Sequence, residues 1–329
     1  MSAAARGHLG RFAALLGALV LVNFLLPRLL PGSPLSSAAG EATSAFLPSG
    51  TLQEIRRAYG LDRPLSEQFL RYLGGLARGD LGRSLATHRP VVEMIAERLP
   101  WTVFLVGSSV LIAAVVGIAL GTAAAWRPDG IGTRLFGPLV IGLGALPEFL
   151  VAMALIVLLG TSLRLLPVGG AMTPFLTVSG IGGPLAAARD LLLHAALPGA
   201  TLTAGLTPAF FLLSRNALAN VLGERYLLTA RGKGLGTAGV LRHAWRNALP
   251  PVLTLLGLRL AFAITGAALV ERIFAYPGMG LLLFEAVVRR DYPVMQGVFL
   301  VASVVIVAVN VALDLAASLL DPRIRQAQG

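Results

Sequence analysis

The chain has 329 residues, of which 56% are hydrophobic and only 13% charged, and its mean hydropathy is +0.77. That balance excludes an ordinary soluble chain, in which about a quarter of residues are charged, and it equally excludes disorder. The net charge of +11 comes without any run of five or more basic residues, so membrane topology accounts for it better than nucleic-acid binding does.

A hydrocarbon core about 30 Å thick takes roughly 20 apolar residues of helix. Stretches that qualify lie at residues 12–30, 102–126, 135–159, 195–213, 249–270 and 294–320, which predicts an all-α polytopic membrane protein of about six transmembrane helices. Arg6 and Arg11 precede the first stretch, and small residues follow it at Ser37, Ala38 and Ala39, as in a signal peptide. The apolar run reaches Leu30, however, which is long for a signal core and favours an uncleaved anchor. Residues 31–100 then carry eight arginines against seven acids. Their apolar positions, Leu52, Ile55 and Tyr59, then Phe69, Leu70, Leu73 and Leu76, predict short amphipathic helices of an external cap.

In the later stretches, paired glycines such as Gly117 and Gly121, or Gly137, Gly142 and Gly144, permit close approach of helix backbones. Ionisable groups inside spans are functional candidates because a charge in lipid needs water or a partner. Glu148 follows Pro147 in the third stretch, Arg259 lies near the centre of the fifth, and Asp314 sits near the end of the sixth. Glu148 and Arg259 are the candidates for a translocation pathway.

Basic loops are retained in the cytoplasm. Arg6 and Arg11, Arg127 and Arg134, and Arg323 and Arg325 mark one side. The connection between the fourth and fifth stretches adds Arg215, Arg225, Arg231, Lys233, Arg242 and Arg246 against Glu224 alone. Both termini are therefore expected in the cytoplasm. The segment 31–100 is the exception, but long translocated loops largely escape the rule.

Catalytic patterns are missing. The chain has no G-x-x-x-x-G-K-[ST] loop, no G-x-S-x-G elbow and no H-E-x-x-H; it has no cysteine, and His8, His88, His194 and His243 lack ligand spacing. The expectation is a chain that is not an enzyme and holds no cofactor or metal of its own. The basic loop from Gly223 to Pro251 reads as a short helix at 224–231, broken at Gly232 and Gly234, followed by a second helix at 237–245.

The order of residues in that loop resembles the DppB/OppB-like permease subunits of bacterial peptide and nickel ABC importers. Tyr226 to Leu235 is similar to the family's Y-x-x-T-A-R-A-K-G-L form of the EAA motif, with Gly232 in place of the usual alanine. Gly60-Leu61-Asp62-Arg63-Pro64 and Gly79-Asp80-Leu81-Gly82-Arg83-Ser84 resemble the family's cap, and Glu97-Arg98-Leu99-Pro100 resembles the approach to the second span. Leu166-Pro167 with Gly169-Gly170, Val270-Glu271 through Phe274, Pro277-Gly278 with Gly280, Asp291-Tyr292-Pro293, and Asp314 with Leu320-Asp321-Pro322-Arg323 continue the match. Glu148 departs from it, standing where a smaller polar residue is expected.

The resemblance implies a type I, MetI-like architecture: an N-terminal helix at 1–30, a periplasmic cap at 31–100, and a permease domain at 101–329 with a coupling loop at 214–248. It implies Glu224, Tyr226, Thr229, Ala230, Arg231, Gly232, Lys233, Gly234 and Leu235 as the coupling surface. It also implies a second permease subunit, two cytoplasmic ATPase subunits that bind ATP and Mg, a periplasmic substrate-binding protein, and the lipid of the inner membrane; nucleic acid is not an expected partner. A stand-alone secondary transporter or channel is the rival, since it would need no ATPase.

Overall fold

The structure, a computed structural model, describes residues 17–29, 57, 62–174, 183–262 and 267–320, without the side chains of Arg231 and residues 312–320. Leu52, Ile55 and Tyr59 of the expected cap, the motif from Asp321, and the side chain of Asp314 lie outside that description. The described residues are helical, with no strand among them: α1 Gly17–Leu29, α2 Leu65–Leu76, α3 Val91–Trp126, α4 Ile131–Ala145, α5 Glu148–Leu155 continuing as a π-helical turn over Ile156–Ser162, α6 Gly183–Leu222, α7 Arg225–Gly232, α8 Thr237–Ala261, α9 Ala268–Ile273, α10 Met279–Arg289 and α11 Tyr292–Leu320.

Three of these helices are long and apolar enough to cross a membrane: α3, α6 and α11 over Tyr292–Val311. The third expected stretch, 135–159, is not one straight helix. α4 and the segment Glu148–Ser162 meet at a bend of 107°. Leu146 precedes a proline and takes an extended backbone with ψ of 132°, and Pro147 is likewise extended, so the helix stops and restarts. The fifth stretch, 249–270, also differs, because α8 begins at Thr237 and ends at Ala261. α8 is therefore continuous through 246–249, where the sequence suggested a boundary. α6, at 40 residues, is about 60 Å long and overshoots the expected 195–213 at both ends.

The chain divides into two compact units, one of residues up to Pro100 with Gly278–Val305, the other of Trp101–Pro277 with residues from Ile306. In the first unit Phe24 of α1 is the central side chain, edge-on to Phe69 at 5.1 Å and tilted against Tyr72 at 5.7 Å. The buried Asn23 amide donates to the Tyr72 hydroxyl (3.0 Å) and to the Gln296 carbonyl (2.9 Å), tying α1 to α2 and α11. The packing face of α2 thus runs through Phe69 and Tyr72, whereas Leu70 and Leu73 of the expected apolar stripe are exposed.

The second unit is built around α6. Its core joins Leu105, Val110, Leu197, Leu202, Phe210, Val252, Val270, Phe274 and Tyr276. Since lipid is as apolar as leucine, close van der Waals contact has to hold such helices together, and the glycines supply it. A Cβ on Gly121 would come to 2.7 Å from the Phe211 carbonyl oxygen and 2.8 Å from Ser214 Cβ. Gly117 meets Phe210 and Phe211 in the same way, and Gly144 of α4 lies against Pro208.

Candidate functional site

The basic connection folds as a helix, a left-handed glycine and a second helix. α7 closes with a Schellman arrangement: the Leu235 amide donates to the Ala230 carbonyl (3.3 Å), the Lys233 amide to the Thr229 carbonyl (3.0 Å), and Gly234 stands at φ +82°. Gly232, expected to break the helix, is its last residue; Gly234 alone makes the turn. Leu227 is fully buried in a cluster with Leu218 of α6 and Val240, Ala244 and Ala248 of α8, and Leu235 packs at its edge. Asn247 of α8 donates to the Tyr226 hydroxyl at 2.7 Å. The loop is therefore fastened to the ends of α6 and α8 from beneath.

Its outer surface is what remains. Glu224, Arg225, Thr229, Gly232, Lys233 and Gly234 are exposed, and so are two large side chains with apolar bodies, Tyr226 at 40% and Leu228 at 58%. Arg242, His243 and Arg246 on α8 add exposed basic groups nearby in sequence. Ala230 is half-buried. The order of residues in the loop pointed to this surface but not to Leu227 and Asn247, which hold it, nor to Leu228, whose exposure depends on which side of a two-turn helix faces the cluster.

Glu148 is the first residue of α5, directly after Pro147, and is half-buried. A Cβ on Gly205 of α6 would lie 3.2 Å from Glu148 Oε1, so the carboxylate rests on the backbone of α6. Arg259, exposed near the end of α8, acts electrostatically on Glu148, although no ion pair closes between them. Two candidates widely separated in sequence are thus brought within each other's field.

Residues 117–326 match the family described as the binding-protein-dependent transport system inner membrane component, and residues 5–106 match the N-terminal family of the same membrane components. The chain belongs to that family. A glutathione transport system permease protein GsiC of Pectobacterium atrosepticum is 37% identical over 322 residues, covering 96% of each chain. GsiC of Escherichia coli is 35% identical over 323 residues, covering 96% of this chain and 97% of its own. A Brucella ovis protein named as a peptide permease is 35% identical over 311 residues, covering 94% of each. The chain is accordingly a multi-pass inner-membrane permease subunit of a binding-protein-dependent ABC transport system.

Within each unit of the permease, motifs far apart in sequence come together. In the first, the buried Asp291 carboxylate accepts the Ser84 hydroxyl (2.5 Å) and the amides of Leu85 (3.1 Å) and Ala86 (3.3 Å), joining the Gly79–Ser84 motif to Asp291-Tyr292-Pro293. In the second, the Gly170 amide donates to the Phe274 carbonyl at 2.8 Å, and the Thr102 hydroxyl to the fully buried Glu271 at 2.6 Å. Burial, reinforced by the negative charge of Glu271, pushes the Tyr276 phenol up to about 12, so it stays protonated.

Proposed function

We propose that this permease forms one half of a heterodimeric importer for peptides or a similar carboxylate-bearing solute. In this reading both termini and the loop 214–248 are cytoplasmic, residues 31–100 form the periplasmic cap, and 101–329 form the transmembrane domain. A periplasmic binding protein delivers the solute to the outer face. Two cytoplasmic ATPases bind ATP and Mg, close on nucleotide, and move α7; the permease supplies no ATPase site of its own. The bundle then alternates between outward- and inward-facing states.

The observation that carries the reading is the outer surface of α7. Tyr226 and Leu228 expose apolar area on a basic segment that is fixed from below by Leu227 and by the Asn247–Tyr226 hydrogen bond, as a rigid docking element requires. The rest of the motif divides accordingly. The exposed Glu224, Thr229, Gly232, Lys233 and Gly234 belong to the docking surface, and Arg231 joins them through its place in the motif, whereas Ala230 and Leu235 support it. Names of relatives transporting peptides and glutathione support the cargo class, and so does Arg259, an exposed cation in an apolar helix beside Glu148.

The test is reconstitution into liposomes with a cognate second permease, ATPases and binding protein. ATP-dependent uptake that Leu228→Glu abolishes, with loss of the ATPases on co-purification, is the expected result. Uptake by this chain alone, driven by an ion gradient, would establish a secondary transporter instead. For the pathway, Arg259→Gln should reduce uptake of an acidic cargo more than that of its amide; equal effects on both would remove Arg259 from it.

A further inference from the structure

A cavity of about 250 Å³ lies within the first unit, where α1 ends against α2, the turn after α2 and the first turn of α11. Two cations and one acid line it: Arg28, Arg71 and Asp80. Arg28 is held on three sides. Its guanidinium lies 3.6 Å over the Phe24 ring, Nη1 donates to the Phe24 carbonyl (2.7 Å), and Nη2 donates to Gln68 Oε1 (3.0 Å). Those contacts fix the plane of the fork and occupy two of its five N–H groups. The other three, with the full charge, meet no carboxylate among the described residues.

The neighbours are equally uncommitted. Among the described residues Arg71 reaches only Glu67, at 3.8 Å, and its side chain is 56% exposed. The Tyr72 hydroxyl accepts from Asn23, which leaves its own proton to donate. Asp80 takes one amide, that of Gly82, on Oδ1 (2.8 Å) and closes no ion pair with either arginine. A small cavity therefore carries anion-binding forks, a neutral donor and a separate carboxylate, without neutralising itself.

Beside it runs an apolar surface. On α1, in the turns that lead to Arg28, Leu21, Val22, Leu25, Leu26 and Leu29 are all exposed. A ligand matched to this arrangement has a phosphate, an ammonium group one short linker away, and hydrocarbon tails. The geometry points to a binding site for the headgroup of an aminophospholipid. Its phosphate is held by Arg28, Arg71 and Tyr72, its ammonium by Asp80, and its acyl chains lie along α1. Guanidinium forks bind phosphate bidentately, which a hydrated point charge does less well. The carboxylate gives selectivity: a choline headgroup has no N–H to donate, and a glycerol headgroup has no cation to place there.

This inference stands apart from the transported cargo. It is tested on the full chain, purified in detergent with the subunits that accompany it, by native mass spectrometry after exchange into phosphatidylethanolamine, phosphatidylcholine or phosphatidylglycerol with identical acyl chains. Phosphatidylethanolamine should be retained about tenfold better than the other two. Arg28→Gln with Arg71→Gln should lower that retention about ten- to hundredfold, the range expected for losing charge-assisted hydrogen bonds. Asp80→Asn should bring phosphatidylethanolamine down to the level of phosphatidylcholine. Should the double variant fail to fold, Asp80→Asn decides alone, since Asp80 is exposed and outside the helices. Equal retention of all three lipids, or retention untouched by Asp80→Asn, would overturn the site. Displacement of the lipid by an equal concentration of free phosphoethanolamine or inorganic phosphate would assign the cavity to a soluble phosphate compound and overturn the lipid assignment.

Discussion

Replacing Asp291 with alanine should free the turn at residues 84–90. Three donors converge on that carboxylate: the Ser84 hydroxyl and the amides of Leu85 and Ala86. Asp291 is 3% exposed and Leu85 is 2% exposed, so water does not readily replace the lost acceptor. A hydrogen bond to a charged group contributes about 1.5–3 kcal/mol, and a buried donor left unpaired costs about 1–3 kcal/mol. The bonds are not additive. The loss expected for breaking a buried charged network is therefore about 3–5 kcal/mol rather than their sum. At about 1.4 kcal/mol per factor of ten, amide exchange at Leu85 and Ala86 should accelerate by about a hundredfold to a few thousandfold. Asp291→Asn keeps an oxygen acceptor without the charge and should fall between, at roughly tenfold. Hydrogen–deuterium exchange on peptides spanning 84–90 measures this directly. Exchange in Asp291→Ala within about threefold of the unaltered chain would refute the reasoning, and with it the idea that the two motifs hold each other.

Gly121→Val should sharply reduce the yield of folded protein in detergent, because a Cβ at 2.7–3.0 Å from α6 backbone and side-chain atoms forces α3 and α6 apart, whereas Gly107→Ala, with nothing within 4 Å, should leave yield and thermal stability unchanged. Gly234→Val should insert normally yet lose co-purification of the ATPases and uptake together; a Cβ at this position meets no atom of the chain within 4 Å, and the φ of +82° opposes the substitution by about 1–2 kcal/mol. Gly232→Ala, at an exposed helical position with open space, should retain full uptake and stabilise α7 by about 0.5–1 kcal/mol, read as slower exchange of its amides. Recovery of a full complex with undiminished uptake in Gly234→Val would remove that glycine from the docking role.

The helical class and the approximate place of each apolar stretch were legible because lipid imposes one requirement, length of apolar helix, that sequence displays directly. The bend at Pro147 was not, since a hydropathy sum over 135–159 is blind to direction even though Leu146-Pro147 marks the break. Phe69 was in the expected apolar pattern, but Tyr72 was passed over and Leu70 and Leu73 were included, because what decides the packing face of α2 is Phe24, which lies in another helix. The basic loop announced itself through residue order and glycines, but Gly232 and Gly234 look alike in sequence, and only the positive φ separates them. The proximity of Glu148 to Arg259 depends on how α5 and α8 pack around α6, which no local pattern encodes.

Pro250 and Pro251 sit within α8 and give that helix an articulation. A proline at each position withdraws an amide from the ladder, so the carbonyls of Arg246 and Asn247 receive no bond from four residues ahead, and the rod is soft there. The arm from Thr237 to Pro250 is about 20 Å long, so each degree of flexing displaces its far end by roughly 0.3 Å. The other arm ends two residues beyond Arg259. Force applied at the loop thus arrives at the proposed pathway through a compliant coupling rather than a stiff strut. In the proposed mechanism, timing between nucleotide closure and opening of the bundle then depends on stiffness at two prolines that lie between the proposed docking loop and Arg259.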